Sequence, residues 1–240
     1  LVGQASQPIF DDNNNVIVGD TEGLHKIESN TGERLESLEG DSRGSVKREG
    51  NEVYANQPYG VSESPLENID DDTKHDLDSG NPPGGALTII DDGDYLALSP
   101  GFGELVSWDT ENQEEIDRAN PESFRQYVST DGGNFFIQGY DELKAFDIPK
   151  NISEDFQRIA REEGSEGYNR SPPVVVEDST TMVYTSDREG NIEAFSFDGN
   201  SLSREWQENV GNTVVDLKAV GDTLIASGAG VYGLDRESGN

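Results

Sequence analysis

The chain has 240 residues, with 49 Asp plus Glu against 17 Lys plus Arg, a formal net charge of -32 and no Cys. That composition excludes disulfides, thiolate metal sites and thiol nucleophiles, and it opposes nucleic-acid binding, which needs clustered Lys and Arg against the phosphate backbone. No stretch approaches the roughly 20 apolar residues of a membrane-spanning helix, and the N-terminal LVGQASQPIF has neither the basic nor the apolar region of a signal peptide.

Taken in order, the apolar runs repeat. First strands are predicted to begin at Val16, Val53, Tyr95, Phe135, Met182 and Leu224, at steps of 37, 42, 40, 47 and 42 residues. Each is followed by a polar turn and a second strand, in the register Gly-apolar-x-x-apolar-Asp-x-x-Thr/Ser-Gly. The second strand is legible at residues 23–32, 105–109, 143–147, 192–196 and 230–239. The copy at 60–66 is poorer, because Pro65 removes a ladder donor and belongs at an edge or a bulge.

The clearest hairpin is residues 180–200, TTMVYTSDREGNIEAFSFDGN, where Val, Ile, Tyr, Phe and Thr suit a pleated surface and Asp-Gly marks the closing turn. An inner run precedes each hairpin, at 7–10, 44–47, 86–90, 125–128, 173–176 and 213–217, and a charged outer run follows it, as at 34–38 and 203–207. The Val-rich inner runs read as buried on both faces and the outer ones as exposed edges.

A period near forty residues with four strands per unit is that of a propeller blade. The predicted fold is therefore all-β: a single β-propeller over residues 1–240 with six four-stranded antiparallel blades. Its hairpins fall at 16–31, 53–66, 95–110, 135–148, 182–197 and 224–238. Leu1-Val2-Gly3 aligns with Asn209-Val210-Gly211, the end of an outer strand, so the ring is expected to close by pairing the first residues with the last blade.

The hairpins resemble the PQQ-like β-propeller repeat, with the best matches at Gly190-Asn191-Ile192-Glu193-Ala194-Phe195 and Gly230-Val231-Tyr232-Gly233-Leu234-Asp235, and with Trp206 in the place of the outer-strand Trp. That family holds quinoprotein alcohol dehydrogenases, outer-membrane assembly factors and archaeal surface proteins. For its dehydrogenases the resemblance implies eight blades, a vicinal disulfide against the quinone, a Trp floor and a calcium. A chain with no Cys and six repeats cannot carry those roles over. Trp108-Asp109 also reads as the dipeptide of WD40 blades, but it occurs in one copy of six and lacks an upstream Gly-His. Acids spread along the whole chain, with Arg exceeding Lys 11 to 6, are similar to the composition of halophilic archaeal proteins. Such self-repulsion is relieved as the Debye length shrinks from roughly 10 Å at 0.1 M salt to about 3 Å at 1 M.

The residues for chemistry are few. Asp109, Asp147 and Asp235 stand before turns, where a carboxylate accepts backbone N-H bonds and fixes the hairpin. Residues 67–78 form a dense acidic loop containing His75; Asp70 and Asp72 alternate, but Lys74 falls where a calcium ligand would be and no Gly follows. It reads as a solvated loop that gathers cations without selecting one. His25 and His75 are the only histidines, and neither a zinc site nor a Ser-His-Asp triad has obvious materials.

What does not repeat is the set of connections at 39–44, 79–85, 117–123 and 162–172, the last with Tyr168, Asn169 and Arg170, residue types suited to an interface. The sequence thus points to a noncatalytic binding or scaffold propeller with no catalytic, cofactor or metal residues, engaging a protein or a surface glycan, at the cell surface or in a salt-rich cytoplasm. A cofactor-dependent oxidoreductase of the quinoprotein type, or a carbohydrate-active enzyme with its site in the central funnel, is the alternative.

Overall fold

The computed structural model describes residues 6, 8–40, 42, 45–57, 60–76, 87–90, 94–98, 104–120, 127–131, 133–139, 141–151, 153–164 and 172–240. All regular structure among them is β. The chain divides into two compact units, Leu1–Asn120 with Pro149–Glu154, and Pro121–Ile148 with Asp155–Asn240.

The first unit holds three antiparallel sheets, each running in chain order. Sheet 1 is β1 (Ile9–Phe10), β2 (Val16–Gly19), β3 (Gly23–Ile27) and β4 (Arg34–Glu39). Sheet 2 is β5 (Val46–Glu49), β6 (Glu52–Gln57), β7 (Gly60–Pro65) and β8 (Thr73–Asp76). Sheet 3 is β9 (Leu87–Ile90), β10 (Tyr95–Leu98), β11 (Leu105–Asp109) and β12 (Glu114–Ala119).

The second unit repeats the pattern. Sheet 4 is β13 (Tyr127–Thr130), β14 (Asn134–Gln138), β15 (Glu142–Asp147) and β16 (Arg158–Glu163). Sheet 5 is β17 (Val174–Glu177), β18 (Thr181–Ser186), β19 (Asn191–Phe197) and β20 (Leu202–Asn209). Sheet 6 has three strands, β21 (Val214–Val220), β22 (Thr223–Gly228) and β23 (Val231–Asp235). The sixth sheet thus shows one strand fewer than expected among the described residues, and Leu1 to Gly3, expected to complete it, lie outside them.

Side chains alternate across a strand, so each middle sheet presents two apolar faces and each must be covered. Val53 and Ala55 join Ile17, Leu24 and Val46 between sheets 1 and 2, while Tyr54 and Val61 turn the other way onto Leu87, Leu96, Val106 and Trp108 of sheet 3. In the second unit Val183, Phe195 and Phe197 meet Phe136, Leu143 and Ala145 of sheet 4. Tyr184, Ile192 and Ala194 meet Val214, Leu217, Leu224 and Leu234 of sheet 6. Trp206 reinforces that contact by donating Nε1 to the Arg236 carbonyl at 2.9 Å. Its ring lies against Gly239, where an added Cβ would come within 2.8 Å and where φ is +75°, so only glycine suits this position.

Four outer strand pairs share one irregularity. The register shifts between Lys26 and Ile27, Ser107 and Trp108, Ala145 and Phe146, and Ala194 and Phe195. In each case the fourth strand carries one extra residue at the same place in the repeat: Leu35, Ile116, Ile159 or Glu205. A bulge of this kind bends the strand and raises its local twist.

Three expectations need correction. The inner strands are unevenly covered: Leu87, Thr88 and Ile90 of β9 are buried as expected, but Val174, Val175 and Val176 are intermediate, and Phe10 and Val215 are exposed. An edge strand is paired on one side only, so its neighbours shield it less. Residues 67–78 are not all solvated loop, because Thr73–Asp76 form the fourth strand of sheet 2 and Asp70 Oδ1 accepts the Ser37 N-H at 3.1 Å. Glu39, Asp117, Arg118, Ala119, Glu162 and Glu163, taken as connection residues, lie within β4, β12 and β16. Pro65 falls where it was expected: it ends β7, beyond Glu63, the last residue of that strand paired with β8.

Phe195 is fully buried, so Phe195→Ala should lower unfolding free energy by about 3–5 kcal/mol in denaturant titrations, whereas Phe10→Ala, at an exposed site, should change it by less than about 1 kcal/mol.

Candidate functional site

One aspartate, one histidine and one serine meet on sheet 1. Asp20 lies in the turn between β2 and β3, His25 near the middle of β3 and Ser37 on β4. Antiparallel pairing sets His25 opposite Ser37. The imidazole Nδ1 lies 2.5 Å from Ser37 Oγ and Nε2 lies 3.0 Å from Asp20 Oδ1. Sequence reading gave His25 no partners for a Ser-His-Asp arrangement; the fold supplies them from one turn and one neighbouring strand.

Asp20, Glu22 and His25 also present ligand atoms that all lie within 4.8 Å of one another. Their hydrogen bonds describe a clasp. Asp20 Oδ1 also accepts the Glu22 N-H at 2.8 Å and the Gly23 N-H at 3.2 Å, and Glu22 approaches Arg34 at 3.9 Å. Both His25 nitrogens are engaged, and Asp20 and His25 are buried. The cluster pins the β2–β3 turn to β4.

Lys26, one residue on, points to the opposite face of β3 and is also buried. Its Nζ donates to the Leu66 carbonyl at 2.9 Å and lies 3.4 Å from Asp11 and 3.6 Å from Glu36. Glu36 Oε2 in turn accepts the Ile69 N-H at 2.9 Å. A buried ammonium held by two carboxylates and a carbonyl ties sheet 1 to sheet 2, and such a charge needs all its partners because desolvation is costly.

Two of the three acids before turns, Asp109 and Asp235, are hydrogen-bond acceptors, as expected. Asp109 takes the Asn112 N-H at 2.8 Å, and Asp235 takes the N-H groups of Glu237 at 3.2 Å and Ser238 at 2.9 Å. For Asp147 the bond seen is made by its backbone N-H, to the Gln157 carbonyl at 2.9 Å. Sequence reading missed a related clasp, an Asp followed three or four residues later by Asn whose backbone and side-chain N-H groups both point back. It recurs as Asp11 with Asn15, Asp109 with Asn112, Asp131 with Asn134 and Asp187 with Asn191. The signal was present as Asp-x-x-Asn or Asp-x-x-x-Asn, but at three different turns of the repeat, with Asp11 and Asp131 sharing the turn between first and second strands.

The charges respond accordingly. The Asn112 N-H holds the Asp109 carboxyl below its usual value, and Ser238 does the same for Asp235 through its hydroxyl and its N-H. Burial pushes Asp11 upward, but bonds from Asn15, Asn13 and Lys26 outweigh it and its pKa falls. Burial, and then the nearby Glu63, raise Glu52; the same two causes raise the Tyr54 hydroxyl, which donates to Glu63 at 3.0 Å.

An apolar recess of about 380 Å3 lies on sheet 1, bounded by Pro8, Val16, Val18 and Ile27 with Glu28 and Ser29 at its rim. Tyr168, Asn169 and Arg170, the sequence's interaction loop, lie outside the described residues, and of His75 only the backbone position on β8 is described.

No family model and no curated protein matches the chain. Among solved structures, a chain of one titled "Crystal Structure of Mitotic Checkpoint Complex" aligns with a TM-score of 0.70 over 92% of this chain and 73% of that one, at 11% identity. Together with the six successive antiparallel sheets, this defines the fold as a β-propeller. In all, 1329 chains of solved structures match, so the likeness describes an architecture that hosts many activities and does not select one.

His25→Ala should leave the buried Asp20 carboxylate short of a partner and cost about 1–3 kcal/mol of unfolding free energy, measured by urea titration. The turn acids give a pH dependence of defined sign. Their folded pKa values are lowered from 3.8, so their stabilisation is complete above that value and is lost as pH falls through the folded pKa. Asp109→Ala and Asp235→Ala should each flatten the melting temperature's decline between about pH 5 and pH 2 relative to the unsubstituted chain.

Proposed function

We propose that this chain is a noncatalytic binding or scaffold propeller whose partner is a protein, built from repeats of the PQQ-like type and adapted to molar salt. The observation that carries the reading is the use of its acids. Asp11, Asp109, Asp131, Asp187 and Asp235 all accept bonds from their own turns, and Asp20 and His25 belong to a buried clasp, so the repeated polar residues serve the fold. Binding then falls to what varies between repeats, the surface connections and the charged fourth strands. The solved structure of similar fold carries the name of a multiprotein complex, in keeping with a partner-binding role.

The net charge of -32 supports salt adaptation, and a place on the cell envelope accords with the repeat type. A surface glycan is a further partner class consistent with that location. The reading requires no cofactor.

The test combines salt and cofactor. Circular dichroism should show a folded, cooperatively melting chain in about 2–3 M KCl and a loosened one below about 0.2 M, where screening is weak. Unchanged melting across that range would remove the salt adaptation. Titration with pyrroloquinoline quinone and calcium in molar KCl should give no saturable absorbance or melting shift; saturable binding accompanied by alcohol oxidation would replace the scaffold reading with the quinoprotein one.

A further inference from the structure

Two Asn-x-Ser sequons occur in the chain, Asn151-Ile152-Ser153 and Asn169-Arg170-Ser171, and the second lies outside the described residues. The first falls in the connection between β15 and β16, residues 148–157. At ten residues this is the longest link between third and fourth strands, the other four taking four to seven. Hydrogen bonds hold it in one shape. The Pro149 carbonyl accepts the Ser107 hydroxyl at 2.5 Å, Glu154 donates its N-H to the Asn151 carbonyl at 2.9 Å, and the Glu154 carboxylate accepts the Lys150 N-H at 3.1 Å. Asn151 and Ser153 are both exposed. Asn151 Oδ1 accepts the Ser153 N-H at 3.1 Å and also the Ser153 hydroxyl. A backbone N-H can only donate, so the atom facing it is the amide oxygen, and Nδ2 is the free end. Among the described residues nothing accepts from that Nδ2. The turn asparagines are built the other way: Asn15, Asn112, Asn134 and Asn191 each donate Nδ2 to the aspartate of their own clasp, and Asn212 donates it to the Tyr232 hydroxyl at 2.7 Å.

We propose that Asn151 is a modification site, carrying a glycan linked through Nδ2. The inference rests on the proposed place at the cell envelope, because this sequon is used in exported chains. In the transfer, Nδ2 bonds to the anomeric carbon of a phosphate-activated sugar donor. The bond from that carbon to the phosphate oxygen breaks, the phosphate leaves with the bonding pair, and Nδ2 gives up one proton and ends as a secondary amide. The local structure suits both the reaction and its product. The hydroxyl that the sequon requires, that of Ser153, already sits on the acceptor amide. A bulky hydrophilic group needs a surface position, which exposed Asn151 supplies. Both side-chain bonds of Asn151 run through Oδ1, so a sugar on Nδ2 breaks neither and leaves the turn as it is. A sugar on Nδ2 of Asn15, Asn112, Asn134 or Asn191 would instead crowd the bond that fixes a hairpin.

The chain made in its own cells tests this with two readouts. A membrane-impermeant amine reagent applied to intact cells reports whether the chain lies outside, and mass spectrometry of the peptide containing Asn151 reports the sugar. A labelled chain should yield that peptide with the added mass of a glycan. Asn151→Gln and Ser153→Ala should each abolish the added mass, whereas Ser153→Thr, which keeps the hydroxyl, should retain it. A labelled chain whose Asn151 peptide is bare, or whose only sugar is on Asn169, would overturn the acceptor and leave the envelope reading standing. An unlabelled chain without sugar would sink the envelope reading and the modification with it.

Discussion

The two-residue period of a β-strand sets the terms for this molecule. A sheet of apolar strands has two faces that water disfavours, and covering one with another sheet creates a further face to cover. Sheet 2 resolves this by turning Val53 and Ala55 toward sheet 1 and Tyr54 toward sheet 3. Sheet 5 does the same with Phe195 toward sheet 4 and Ile192 and Ala194 toward sheet 6. The mean hydropathy of -0.72 shows how little apolar material is available. With so few apolar residues, each inward position matters more than it would in a richer core.

Polar groups complete what the apolar faces leave undone. At sheet edges and turns the backbone N-H groups need acceptors, and the abundant acids provide them at Asp11, Asp109, Asp131, Asp187 and Asp235. Inside, Lys26 and His25 use neighbouring carboxylates on opposite faces of one strand. An acidic composition that looks like surface decoration therefore also supplies the hydrogen-bonding partners of the loops.

Much of this was legible in the chain itself. The strands and their order follow from β-branched and aromatic runs at a fixed spacing, and the roles of Asp109 and Asp235 follow from their place before a turn. The His25–Ser37 contact was not legible, because the residues are twelve apart and meet only through a cross-strand register. Residues 73–76 looked like a solvated loop because Thr73-Lys74-His75-Asp76 has no apolar alternation; the outward backbone groups of β7 recruit it as a strand all the same. The inner valines looked doubly buried because composition reports residue type and not how many sides of a strand are paired. The bond from Gln138 Nε2 to the Ser186 carbonyl could not be foreseen either, since it joins residues 48 apart on sheets 4 and 5.

The recurring bulge on the fourth strands has one more consequence. An outermost strand offers unpaired backbone groups to any other chain, and charged side chains are the common guard against such sticking. Charge is a poor guard where the Debye length falls to about 3 Å, as it does at 1 M salt, because two acidic edges then barely sense each other before contact. A backbone kink is indifferent to ions. By placing an extra residue at Leu35, Ile116, Ile159 and Glu205, four of the sheets break the straight, evenly spaced rim that a foreign strand would need. A guard of this kind depends on backbone shape and not on charge, so salt does not weaken it.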